Sequence, residues 1–85
     1  MANVEIYTGA FCGYCARAKS LLGSKNQPYT EIDVTMDAGK RAEMVARAGG
    51  KKSVPQIFIN GVHIGGCDDL HALDDAGKLA GLLAG

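Results

Sequence analysis

Val4-Glu5-Ile6-Tyr7-Thr8-Gly9-Ala10-Phe11-Cys12-Gly13-Tyr14-Cys15 decides how the chain folds. Val4 to Tyr7 is a short β-prone run, and Thr8 to Phe11 reads as a loop. From Gly13 to about Lys25 the pattern turns helical. Tyr14, Cys15, Ala18, Leu21 and Leu22 fall on one face, and Arg17, Lys19 and Ser24 fall elsewhere. Cys12 therefore stands where a strand-loop meets a helix N-terminus. Backbone N–H groups and the positive end of the helix dipole stabilise a thiolate there, so its pKa is expected below the free value of about 8.5. Cys15 lies one turn on, which brings the two Cα atoms within the roughly 4.4–6.8 Å that a disulfide needs. Cys12 is read as the attacking sulfur and Cys15 as the resolving one, because the thiolate is the nucleophile in disulfide exchange.

Working outward, Gly23 and Asn26 to Pro28 carry stop signals. Tyr29 to Val34 alternates and predicts a second strand. Asp37 can cap a helix that turns Met44, Val45 and Ala48 inward and stops at Gly49-Gly50. Gln56 to Ile59 and Val62 to Ile64 flank Asn60-Gly61, a dipeptide suited to a tight hairpin turn. Asp68-Asp69 begin a further helix, with acidic residues at its positive end and Leu70 and Leu73 at helical spacing. Leu79, Leu82 and Leu83 predict one last short helical packing segment. The leucine stripe reads as core. His63 alternates between Val62 and Ile64 and is expected to face solvent. Neither it nor His71 has a partner constellation for acid–base work.

The order is β-α-β-α-β-β-α. The first βαβ unit should be parallel and the last two strands an antiparallel hairpin. That is an α/β thioredoxin-like fold, a four-stranded mixed sheet covered by helices, formed by one domain over residues 1–85.

Composition narrows the function classes. The formal net charge is zero and no basic stripe is visible, which argues against nucleic acid or an acidic membrane surface as partner. No apolar run approaches the roughly 20 residues that span a bilayer. The start, Met1 to Tyr7, lacks the basic and long apolar regions of a secretory signal, so a cytoplasmic location is expected. Three cysteines in a reducing compartment are a poor disulfide framework. Catalysis or metal binding is the better reading. Cys12, Cys15, Cys67 and His71 have spacings that zinc accepts. Against zinc, Cys12 and Cys67 both stand at glycine-containing helix starts, and the chain has a full set of strands and helices. No metal is expected on these grounds.

Four motifs in order resemble the glutaredoxin family, in its short bacterial class. They are Val4 to Thr8, Phe11 to Cys15, Ser53-Val54-Pro55-Gln56-Ile57-Phe58-Ile59, and Ile64-Gly65-Gly66-Cys67-Asp68-Asp69-Leu70. The resemblance implies a glutathione-dependent thiol–disulfide oxidoreductase acting on protein disulfides and glutathione mixed disulfides through Cys12 and Cys15. Glutathione is the implied co-substrate, and disulfide-bearing or glutathionylated proteins are the implied partners. The chain should be a monomer. The family's proline, here Pro55, is cis and turns the backbone of Val54 towards glutathione. Gly66, Cys67, Asp68 and Asp69 resemble the pocket for the γ-glutamyl end: helix-start N–H groups hold its carboxylate, and Asp69 takes its ammonium group. Tyr14 should border the site. Cys67 reads as a small apolar pocket residue rather than a second catalyst.

Two positions depart from the family pattern. Gly9 stands where a lysine is usual, so Lys52 or its neighbour Lys51 is expected to take glutathione's glycyl carboxylate. Gly13 stands where proline is common. Glycine there also fits family members that bridge a [2Fe–2S] cluster between two copies through the first motif cysteine and glutathione. A cluster-carrying dimer through Cys12 is therefore the alternative reading.

Overall fold

The computed structural model describes residues 2–84. Four strands form one mixed sheet: β1 (Val4–Thr8), β2 (Thr30–Asp33), β3 (Gln56–Ile59) and β4 (Val62–Gly65). Their spatial order is β2-β1-β3-β4. β1 pairs parallel with β2 and antiparallel with β3, and β3 pairs antiparallel with β4. The helices are α1 (Gly13–Ser24), α2 (Ala38–Arg47), α3 (Cys67–Asp75) and α4 (Leu79–Ala84). Among the described residues, no helix is long and apolar enough to cross a membrane.

Period-two alternation along the strands sorts the two faces of the sheet. Val4, Ile6, Ile57 and Ile59 pack with Ala18 and Leu22 of α1, Cys67 and Leu70 of α3, and Leu79 and Leu83 of α4. On the other face, Tyr7 and Phe58 pack with Val34 and with Met44 and Ala48 from α2 and its C-terminus. This second face also carries charge. Arg47 holds Glu5 through both guanidinium NH groups at 3.2 and 3.0 Å and donates to the Tyr7 hydroxyl at 2.8 Å, while Tyr7 donates to Glu43 at 2.6 Å.

The helices end by a shared device. At the end of α3, Lys78 N–H donates to Leu73 O at 2.9 Å and Gly77 N–H to Asp74 O at 3.0 Å, with Gly77 at φ 72°. This is a Schellman motif. It separates α3 from the short α4, the last short helical packing segment expected from Leu79, Leu82 and Leu83. At the end of α1, Asn26 takes the same left-handed role at φ 55°, and Gln27 N–H donates to Leu22 O at 3.0 Å. Gly23, read as a stop signal, lies inside α1.

Three side chains sit differently from their sequence reading. Tyr14 is 57% exposed, because the buried face of α1 runs through Cys15, Ala18 and Leu22 and leaves Tyr14 beside it. Leu82 is 39% exposed, since its neighbour Leu83 takes the inward position on α4. His63 turns inward and Val62 outward: the register pairs His63 with Phe58, and a bulge falls between Ile57 and Phe58.

Candidate active site

Cys12 is the N-cap residue of α1, with extended backbone at φ −100°, ψ 106°. Its Sγ accepts a hydrogen bond from the Cys15 N–H at 3.2 Å, one of the donors that a helix start leaves unpaired. Its thiol also faces the Val54 carbonyl at 3.7 Å. All three cysteines are free thiols, and Cys12 is the least buried of them. Cys15 is 2% exposed. Burial, and then the contact with Cys12, push its thiol up to about 11. The motif thus has an accessible sulfur at the helix start and a protonated one behind it.

Val54–Pro55 is cis, as the family resemblance implied. Beside it opens a cleft of about 230 Å³ lined by Tyr14, Lys51, Ser53, Val54, Pro55, Gln56, Gly66, Cys67, Asp68 and Asp69. Chain segments around residues 14, 51–56 and 66–69 therefore meet at one opening. Lys51 borders it. Lys52, favoured from the sequence, is not among the lining residues; its backbone carbonyl accepts from Arg41 at 3.3 Å. Of the two lysines named from the sequence, Lys51 is therefore the one at the opening.

The far wall of the cleft is the start of α3. Gly66 is its N-cap, and the Asp69 carboxylate reaches back to accept the Gly66 N–H at 2.9 Å. This is half of a capping box, because glycine has no side chain to return the bond. Gly65 has φ 121°, and a Cβ there would lie 2.7 Å from the Asp69 carboxyl carbon. Only glycine allows that approach. Asp68 and Asp69 are exposed, and the α3 N-terminus offers backbone N–H groups to the same opening. Cys67 is buried at 3% exposure, and burial raises its thiol. Tyr14 stands at the rim with the Arg17 guanidinium 5.9 Å from its ring centre.

Sequence reasoning did not assign Ser53, Gln56 or His63. Gln56 is 1% exposed; its Nε2 donates to Ser53 O at 2.9 Å and to Ser53 Oγ at 3.3 Å. Its Oε1 lies 2.7 Å from His63 Nε2. A carbonyl only accepts, so the Gln56 amide must point its nitrogen at Ser53. His63 must then donate from Nε2. His63 is held over Phe58 at 5.1 Å between ring centres. The loop that carries Val54 is thus tied through the sheet to β4. The signal was present in the sequence: a glutamine on the strand face that alternates with Ile57 and Ile59 must find partners.

Among the described residues, no group of three or more His, Cys, Asp or Glu side chains gathers as metal ligands. His71 opens onto a different groove, with Arg17, Ser20, Leu21 and Ser24.

Comparison with known proteins agrees with this arrangement. The family profile of glutaredoxins matches residues 4–64. The chain is 57% identical over 83 residues to glutaredoxin 3 of Escherichia coli strain K12, covering 98% of this chain and 99% of that protein. It is 52% identical over 84 residues to a glutaredoxin of Pseudomonas aeruginosa, covering 99% of each. The solution structure of a glutaredoxin from Brucella melitensis superposes with a TM-score of 0.85 at 54% identity, over 98% of this chain and 89% of that one. A crystal structure of a buckwheat glutaredoxin–glutathione complex superposes with a TM-score of 0.87 at 31% identity, over 98% of this chain and 77% of that one. The thioredoxin-like sheet, the Cys12–Cys15 motif at a helix start and these matches together make the chain a member of the glutaredoxin family, consistent with thiol–disulfide oxidoreductase chemistry.

Proposed function

We propose that this protein reduces glutathione mixed disulfides and protein disulfides, with glutathione as co-substrate, Cys12 as nucleophile and Cys15 as resolving thiol. The observation that carries this reading is the asymmetry of the pair. Cys12 Sγ receives the Cys15 N–H at 3.2 Å at the mouth of the cleft, while Cys15 is buried and held protonated.

With a glutathionylated substrate, the Cys12 thiolate attacks the glutathione sulfur. The substrate thiolate leaves and takes a proton from water, and a Cys12–glutathione disulfide remains. A second glutathione thiolate attacks the glutathionyl sulfur, forms glutathione disulfide and returns Cys12 as thiolate. With a protein disulfide, Cys12 attacks one sulfur and releases the other as a thiolate. Cys15 then loses its proton and attacks Cys12, which releases the second substrate thiol and leaves a Cys12–Cys15 disulfide. Two glutathiones reduce that bond.

The cleft suits the tripeptide. Val54 can pair with its backbone in the manner of an added strand. The α3 N-terminus and Asp69 suit its γ-glutamyl carboxylate and ammonium, and Lys51 suits its glycyl carboxylate. The proximity of a glutathione complex among similar folds supports the same ligand.

The test uses a small glutathione mixed disulfide and a protein disulfide with wild type, Cys12→Ser and Cys15→Ser. Cys12→Ser should abolish both reactions. Cys15→Ser should keep the first and lose most of the second. Equal loss of the first reaction in both variants would overturn the assignment. The cluster-carrier alternative requires two copies of the chain, since each offers one accessible motif thiol. A glutathione-dependent coloured dimer on anaerobic reconstitution, absent in Cys12→Ser, would favour it.

A further inference from the structure

Two large apolar side chains have no packing role: Phe11, the chain neighbour of Cys12, and Met36. Phe11 is 107% exposed and Met36 is 95% exposed. They lie on different loops that the fold ties together: the Ala10 N–H donates to Thr35 Oγ1 at 2.7 Å. The Gly9 loop lies between the Val54 loop and the Thr35 loop. A Cβ on Gly9 would stand 3.2 Å from Val54 Cγ2 and 3.8 Å from Thr35 Oγ1. The sequence of surfaces across this end of the molecule is therefore the Asp69 cleft, Val54 with Cys12, the Gly9–Phe11 loop, and Met36.

Phe11 is also unfavourable in its backbone. Its φ is 55°, in the left-handed region where a bulky L-residue is an outlier. An aromatic ring fully in water on a strained backbone gains nothing for the fold. Strain of that kind, found beside a reactive group, points to a functional constraint.

We propose that Phe11 and Met36 form an apolar rim that grips the polypeptide half of a disulfide substrate, selecting cysteines flanked by an apolar residue. The proposal rests on the glutathione reading above. If the glutathionyl half fills the cleft on the Val54–Asp69 side of Cys12, the polypeptide half leaves towards the opposite side, and the rim is the surface it meets there. The groove beside Met36 gives the occupant a second property. Asp33 and Asp37 line it together with Ala10 and Thr35. Two carboxylates there favour a basic residue beyond the apolar one. A flexible thioether opposite a ring suits varied aliphatic and aromatic side chains, so the selection is for chemical class rather than one sequence.

The experiment compares three glutathionylated probes: a peptide with leucine next to its cysteine and arginine beyond it, the same peptide with serine and glutamate at those positions, and the mixed disulfide of glutathione with 2-mercaptoethanol. Wild type should prefer the leucine–arginine peptide about tenfold in kcat/KM, which is about 1.4 kcal/mol. Phe11→Asn with Met36→Ser should remove most of that preference and leave the 2-mercaptoethanol probe within about twofold. Asparagine tolerates the left-handed backbone, so the loop is kept while the ring is lost. Equal turnover of both peptides by wild type, or equal loss on all three probes in the variant, would overturn the rim. Failure of wild type on the 2-mercaptoethanol probe would instead overturn the glutathione reading itself.

Discussion

Asp69 carries two loads that one substitution can separate. Its carboxylate caps α3 by accepting the Gly66 N–H at 2.9 Å, and it is exposed on the wall of the cleft where an ammonium group would arrive. Asp69→Asn keeps an oxygen for the Gly66 N–H and removes the charge. Asp69→Ala removes both. Loss of an N-terminal cap costs about 0.5–2 kcal/mol. For a domain of this size, each kcal/mol moves the melting midpoint by roughly 4–8 °C. Asp69→Ala should therefore melt several degrees lower, and Asp69→Asn should stay close to wild type. A hydrogen bond to a charged group is worth about 1.5–3 kcal/mol, and solvent around an exposed carboxylate puts this one at the low end. Both variants should then lose about tenfold in kcat/KM for a glutathione mixed disulfide. Thermal melts and steady-state kinetics on the two proteins read the two effects independently. If Asp69→Asn kept full kcat/KM while Asp69→Ala lost activity only in proportion to its stability, the carboxylate would be a cap and nothing more.

Resolution by Cys15 should be pH-dependent. Burial, the largest cause holding its thiol up, persists while Cys12 is tied up in a mixed disulfide, so the resolving thiolate fraction should rise with pH through and above neutrality; stopped-flow release of the second thiol of a protein disulfide should rise with it, and a flat profile would refute the burial argument. Gly65→Ala places a methyl against the Asp69 carboxyl group and forces alanine to φ 121°. It should cost about 2–3 kcal/mol in chemical denaturation, from backbone strain plus the lost cap, and should also impair glutathione use. His63→Phe keeps a ring over Phe58 but removes the donor to Gln56. KM for the mixed disulfide should rise severalfold with kcat little changed, and His63→Gln should restore part of it; an equal fall in kcat would mean general damage rather than a loosened Val54 loop.

The scaffold was legible because its signals are local. The β-prone run Val4 to Tyr7, the alternation of Tyr29 to Val34, the Asn60-Gly61 turn and the Asp37 cap each depend on a few neighbouring residues. The element types and the two-sided sheet follow from them. The Cys12 helix start was legible for the same reason. What depends on distant partners was not. The choice of Lys51 over Lys52 at the cleft turns on how the chain leaves α2. The placing of His63 beside Phe58 follows from the cross-strand register, which alternation within β4 alone does not reveal. Tyr14 and Leu82 fall on apolar faces by periodicity, but they sit at helix ends or beside a better-placed neighbour, where the core has run out.

The central place of β1 has a consequence for how the protein is made. Val4 pairs with Ile59 and Tyr7 with Gln56, so β1 waits for the later-synthesised β3 to complete its pairing. Translation runs at roughly 5–20 residues per second, so that wait lasts seconds. Throughout it Cys12 and Cys15 have already emerged as neighbours in the chain, but the Val54 carbonyl, the wall of α3 and the burial of Cys15 have not formed. Until the C-terminal half closes over them, the pair has only the difference that the start of α1 can give it.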